Sequence, residues 1–514
     1  MKCIFFLSLL TLGIFVQCGD CGHTWLPFNI IDAVQNKTIQ IKNFVKDKGR
    51  SLRDFYVENV QNRIKTYVGY SKNQTEKIVD IITEKTDILV EKFDRYLTEA
   101  EVSGNQLFDA VAPQNVKYTC SNDDPAIHMS TPQLIASHGY AAESHTFVTD
   151  DGYILTLHRI PYPKSNLNRL IPTKTVLLHH GLLGSSADWV LAGPEKGLAY
   201  ILSNAGYDVW LANVRGNTYS RAHVSKDPDS FAFWNFTWHE VSQHDLPAVI
   251  GHIIKIKGPD VKINYVGHSM GTTILFALLS TKTEYNNILR AGFALAPVAY
   301  MTDIESPIRL LARYANNIEY LMKLLGANEF LPQNSVLRWL SKHACEINHY
   351  EEAICENSLF VLCGHDEQQF NRSLLPIILG HVPAGASTKS LVHYAQEIRN
   401  KGNFQKFDYG PKGNMEHYGT TIPPEYPLHK ITLPIALFSA KNDWLSGEVD
   451  VSNLYRQLVN PIEHYIVPLK TFNHVDFLWA IDAPILVYNR LLELMEQGTS
   501  KSLFNGDIDS NHIR

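Results

Sequence analysis

The sequence is short of charge, and it has no excess of positive charge. Asp, Glu, Lys and Arg make up 19% of its 514 residues, and the formal balance is −6 at pH 7. A nucleic-acid binder needs a basic face to neutralise phosphates, and this balance argues against one. Cysteine is scarce as well, with seven in the chain, which excludes a small disulfide-stapled scaffold. Glycine (30) and proline (24) are too few for a collagenous or low-complexity chain. The apolar run at residues 3–16 is shorter than the ~20 residues a membrane helix needs, and no other run comes closer. Phosphate-cradling G-x-x-x-x-G-K-[ST] and G-x-G-x-x-G patterns are missing, and so is the metal pattern H-E-x-x-H. The residues therefore imply no metal and no cofactor.

What is present describes a globular chain with ample core, 45% hydrophobic. Residues 1–19 combine Lys2 with the short apolar run and read as a signal peptide. Export agrees with four N-x-S/T acceptors, at Asn36, Asn73, Asn235 and Asn371. In an oxidising compartment Cys345 and Cys355, close in sequence, are the disulfide candidate, with two buried thiols as the alternative. Residues 20–112 carry apolar positions at helical spacing, as in Leu52, Phe55, Val60 and Ile64, and predict a helical N-terminal extension. From Gly22 to Ala112 Lys/Arg and Asp/Glu balance at 13 each, which tells against a polybasic membrane anchor. A polar tail occupies 499–514.

Between these ends, residues 113–498 change texture. Asp151-Gly152 separates two alternating runs and predicts a β-hairpin. Short apolar strands then alternate with helical stretches, at 175–178, 208–212, 263–266, 292–295, 435–439 and 465–469. That alternation predicts an α/β fold with a mostly parallel sheet. From about 298 to 430 the alternation fails, and the interval reads as a helix-rich insertion.

The strongest local signal is Gly267-His-Ser-Met-Gly271, between a predicted strand and a predicted helix. A nucleophile elbow has this context. Its sharp turn lifts the serine to the carboxyl end of the sheet and needs Gly267 and Gly271 beside it, because a Cβ there would clash. A serine hydroxyl is a poor nucleophile without a base, an orienting acid and oxyanion donors. On this fold the chain order is Ser, acid, His. Asp443 and His474 follow Ser269 in that order, each just past a predicted strand end. Asp450 is the rival acid, with helix capping as its other reading. His464 is the rival base, and it lies before its predicted strand. Two backbone N–H groups would hold the oxyanion, one from Met270 and one from Leu182 in the loop after strand 175–178.

Leu182, Ser269, Met270 and His474 sit in segments that, with others, resemble the acid lipase family of α/β-hydrolases: HHGLLGSSADWV (179–190), ANVRGNTYSRAH (212–223), YVGHSMGTT (265–273), HVPAGAS (381–387), FQKFDYG (404–410) and NHVDFLWAIDAP (473–484). The resemblance runs from about Tyr118 to Gln497. It implies an α/β-hydrolase fold with a cap and movable lid at about 298–430, and the triad Ser269, Asp443 and His474. It also implies oxyanion donors at Leu182 and Met270, and a cap disulfide between Cys345 and Cys355 that leaves Cys363 free. The family usually carries Gln where Met270 stands, a change that a backbone donor survives. The expected partner is a fatty-acyl ester at a lipid–water interface. A short-chain carboxylesterase, or a non-catalytic lipid carrier on the same scaffold, would share much of the pattern.

Overall fold

The computed structural model describes residues 124–165, 172–309, 329–330, 362–400 and 402–497. The signal peptide, the helical extension at 20–112, the tail at 499–514, Cys345, Cys355, Asn36 and Asn73 all lie outside them.

Asp151-Gly152 turns the chain between β1 (Glu143–Val148) and β2 (Tyr153–Ile160), an antiparallel hairpin in which Val148 faces Ile154. Gly152 has φ +95°, which glycine adopts without the Cβ clash other residues meet. Then come β3 (Lys174–His179), β4 (Tyr207–Leu211), the short β5 (Ala222–His223), β6 (Ile263–His268) and β7 (Leu289–Leu295). A two-residue pair, β8 (Glu329–Phe330) and β9 (Ala386–Ser387), forms its own small sheet. The main sheet ends with β10 (Ile435–Ser439) and β11 (Pro461–Ile466).

The main sheet has the order β1-β2-β4-β3-β6-β7-β10-β11, with β5 against β2. From β4 to β11 every pairing is parallel. Strands at the centre of a parallel sheet are covered on both faces and so read as continuous apolar runs. Accordingly β4, β6 and β10 are buried at every position. Successive side chains go to opposite faces. Leu177 and Tyr265 join one apolar cluster, while Val176, Leu178 and Val266 join the other. Helices Leu246–Lys257 and Met270–Thr281 contribute to the first cluster, and helices Leu198–Asn204 and Asn489–Gln497 to the second.

β7 and β10 are neighbours in the sheet but are separated by about 140 residues of chain, so everything between them is an insertion at one seam. Its described part holds the helices Leu375–His381, Thr388–Arg399 and Gly410–Tyr418, as the helix-rich reading anticipates. The last strand departs from expectation: it spans Pro461–Ile466 rather than 465–469. Proline is tolerated there because it opens an edge strand, where no ladder partner needs its missing N–H. His464 therefore lies within its strand and not before it. Among the described residues no helix is long and apolar enough to cross a membrane.

Candidate active site

Ser269 stands between β6 and the helix that starts at Met270, with φ 52° and ψ −117°. A non-glycine residue in this region of backbone space carries strain, which the surroundings must hold in place. They do so at close quarters. The Ser269 N–H donates to the Leu295 carbonyl at the end of β7, at 3.1 Å. A Cβ on Gly271 would fall 2.4 Å from the His179 carbonyl oxygen, and one on Gly267 would fall 2.8 Å from the Gly271 carbonyl carbon. Both glycines are thus required by backbone contact. Ser269 remains partly exposed between buried neighbours.

Asp443 and His474 meet on loops that leave β10 and β11. Both Asp443 carboxylate oxygens lie 2.9 Å from His474 Nδ1. Asp443 Oδ1 also accepts from the Leu445 and Ser446 N–H groups, at 2.9 and 2.8 Å, which fix the carboxylate in place. With Nδ1 facing a carboxylate, the Nδ1–H tautomer is favoured and Nε2 is left as an acceptor.

His268, beside Ser269 in the chain, ties the His474 loop to the elbow. Its Nε2 donates to the His474 carbonyl at 2.9 Å, and the two rings lie 4.9 Å apart. Burial, with the neighbouring His474, pushes the His268 pKa down to about 3, so the ring stays neutral and keeps this bond. On its other side, the His474 N–H donates to the Cys363 carbonyl at 3.2 Å, and Asn473 Nδ2 donates to the Gly364 carbonyl at 2.9 Å. The insertion therefore returns to the site and helps hold the histidine. Cys363 is buried and carries a free thiol. These supports were invisible to sequence reading, because each joins residues far apart in the chain.

Leu182 lies in the loop after β3. A Cβ on the preceding Gly181 would come within 3.1 Å of Ser269 Cβ, which puts this loop directly against the serine. Met270 opens the helix after Ser269 and is buried. Neither the Leu182 nor the Met270 N–H donates a hydrogen bond among the described residues. The first N–H groups of a helix have no intrahelical partner, and they suit a developing negative charge.

The two rivals have other partners. Asp450 accepts from Thr302 Oγ1 and, at 2.8 Å, from the Asp303 N–H, so it ties the start of the insertion to helix Glu448–Gln457. His464 Nε2 pairs with Ser439 Oγ at 2.7 Å across β10 and β11. Asn235 and Asn371 are both exposed. Asn235 Oδ1 accepts from Lys389 Nζ at 3.0 Å, and Asn371 Oδ1 from the Ser373 N–H at 3.2 Å. Among the described residues only Asp150, Asp151 and His244 bring metal-capable atoms together. The charge there is already answered within the chain. Arg215 donates to both Asp151 oxygens at 2.6 and 2.8 Å, and His244 lies 2.7 Å from Asp150.

Comparison with known proteins agrees with this architecture. A partial alpha/beta-hydrolase lipase region matches residues 131–193, and the alpha/beta hydrolase fold matches 174–322. The gastric triacylglycerol lipase of Rattus norvegicus is 39% identical over 376 residues, 73% of this chain and 93% of that protein. The lysosomal acid lipase/cholesteryl ester hydrolase of Homo sapiens is 37% identical over 375 residues, 73% of this chain and 92% of that protein. Lipase 3 of Drosophila melanogaster is 40% identical over 366 residues, 71% of this chain and 92% of that protein. With the elbow, the sheet order and these relatives in agreement, the chain belongs to the acid lipase family of α/β-hydrolases.

Proposed function

We propose that this chain is a secreted or lysosomal serine lipase. It hydrolyses fatty-acyl esters, triacylglycerols or sterol esters, through an acyl-enzyme on Ser269, with His474 as base and Asp443 as orienting acid. The observation that carries the reading is the Asp443 carboxylate facing His474 Nδ1 with both oxygens at 2.9 Å, while the His474 carbonyl is held at 2.9 Å by His268, the chain neighbour of a serine in the strained elbow conformation. Relatives named for triacylglycerol and cholesteryl ester hydrolysis support the substrate class. The signal-like start and the exposed Asn235 and Asn371 support export and glycosylation. A disulfide between Cys345 and Cys355 belongs to the same proposal.

Each atom has a place in the chemistry. His474 Nε2 takes the Ser269 Oγ proton as Oγ bonds to the ester carbonyl carbon. The carbonyl oxygen becomes an oxyanion and is held by the N–H groups of Leu182 and Met270, each contributing about 3–4 kcal/mol. Asp443 keeps the imidazole tautomer and stabilises the imidazolium, without itself taking the proton. As the carbon–alkoxy bond breaks, His474 returns the proton to the leaving alcohol. Water then adds to the acyl-enzyme, giving its proton to His474. Collapse frees the fatty acid and restores the Ser269 hydroxyl.

The test is fatty-acid release from emulsified triacylglycerol and cholesteryl ester. Wild type should turn over at least one of them, and Ser269→Ala should lose about 10⁴-fold or more in kcat. Equal release by the two proteins would sink the reading.

A further inference from the structure

The peptide between Gly181 and Leu182 carries the proposed oxyanion donor, and one side chain and one backbone N–H hold its orientation. The Gly181 carbonyl lies 2.8 Å from His180 Nδ1 and also accepts from the Gly184 N–H at 3.2 Å. A trans peptide is planar, with its C=O and N–H pointing in opposite directions. Holding the oxygen on the His180 side therefore sends the Leu182 N–H to the other side. Gly181 itself packs at the nucleophile, where an added Cβ would crowd Ser269 Cβ and His268 Nδ1, each at 3.1 Å.

His180 can hold that carbonyl only if its proton is on Nδ1, and the surroundings assign it there. Nε2 faces the Val214 N–H at 3.2 Å and the Asn217 amide Nδ2 at 3.3 Å. The Asn217 amide is itself oriented, because its Oδ1 accepts from the Tyr219 and Ser220 N–H groups at 3.0 and 3.1 Å. A ring nitrogen that meets donors on both approaches acts as an acceptor, which leaves Nδ1 to donate. Burial pushes the ring pKa down to about 4, so the neutral form persists over most working conditions.

We propose that His180 is a positioning residue for oxyanion stabilisation: its Nδ1–H fixes the Gly181 carbonyl so that the Leu182 N–H faces the ester oxygen under attack by Ser269. This rests on the serine-hydrolase reading above. His180 touches no reacting atom and acts through the peptide it holds.

The test compares wild type, His180→Phe and His180→Asn on a soluble p-nitrophenyl ester, with melting temperature and alkylboronic acid affinity measured beside kcat and KM. Phe keeps a ring but cannot donate, whereas the Asn amide nitrogen falls near the place of Nδ1. His180→Phe should lose about 10²–10³-fold in kcat, change KM by less than about threefold, and bind the tetrahedral boronate correspondingly less tightly. His180→Asn should recover at least about tenfold of the lost kcat. If His180→Phe fails to fold, His180→Gln takes its place. The Gln amide reaches the Nε2 side, leaves the Gly181 carbonyl to the Gly184 N–H alone, and should show the same kcat loss. A folded Phe or Gln variant with wild-type kcat overturns this assignment alone. So does an Asn variant no better than Phe, with KM and kcat falling together. A wild type inactive on every ester overturns the hydrolase reading and takes this assignment with it.

Discussion

Two acidic residues seven positions apart have different work, and substitution separates them. Asp443 faces His474, whereas Asp450 accepts from the Thr302 hydroxyl and the Asp303 N–H. Asp443→Asn should fold and lose about 10⁴-fold in kcat, because the imidazole loses its correct tautomer. Asp450→Asn should keep most activity and lose about 1–3 kcal/mol of stability in urea unfolding. The opposite pattern would reassign the acid. A second carboxyl, Asp476, governs a pH effect. Burial pushes it up from 3.8 to about 8, the Asn473 N–H opposes the rise, and Asp366 and Asp443 add to it. Asp366 is itself 2% exposed, and its side-chain hydrogen bond with Asp476 requires the proton that Asp476 keeps. The folded chain therefore keeps a proton that the unfolded chain releases above pH 3.8. The stability this contributes is full below that pH and is lost as pH rises through about 8. Wild-type stability minus that of Asp476→Asn should fall across this window, read from urea midpoints at several pH values. The buried histidines, common to both proteins, cancel in the difference. A difference that stays flat would contradict the buried-proton account. Ser269, Asp443 and His474 were legible in the sequence because each follows a strand in an order the fold requires. Asp366, His268 and His180 were not, since their roles come from contacts that only the folded sheet creates.

Among elements, the turn from β6 into helix Met270–Thr281 leaves no room for a side chain at its two glycines. Gly271→Ala would drive a Cβ to 2.4 Å from a backbone oxygen of the neighbouring strand, with no flexible side chain to yield. It should cost about 1–3 kcal/mol of stability and most of the activity. Gly251 is the contrast. It is exposed within helix Leu246–Lys257 and has nothing within 4 Å of its would-be Cβ. Gly251→Ala should raise stability by about 0.5–1 kcal/mol and leave kcat unchanged. Melting curves of the two variants check both signs. Arg215 shows how the elements interlock. It is 1% exposed, donates through Nε to Asp245 at 2.7 Å, grips Asp151 at the hairpin turn, and stacks over Tyr153 at 3.9 Å. The alternating strands foretold the parallel sheet. The final strand was misplaced because Pro461 reads as a break, and only its position at the sheet edge makes it a strand residue.

At the scale of the whole molecule, a parallel sheet gathers the ends of β3, β6, β10 and β11 at one edge, and the loops that leave them carry the proposed chemistry. The insertion between β7 and β10 adds Cys363 and Gly364 to the support of His474, so it belongs to the site as well as lying beside it in sequence. Relatives are matched over 92–93% of their own length but account for 71–73% of this chain. The central claim is that Ser269 is the nucleophile of an ester hydrolase. It is tested most directly by treating the intact protein with a fluorophosphonate, locating the modified residue by mass spectrometry, and following fatty-acid release in the same samples. The account predicts one adduct, on Ser269, with hydrolysis lost in proportion to labelling. A fully labelled Ser269 with hydrolysis intact, or hydrolysis lost through an adduct elsewhere, would contradict it.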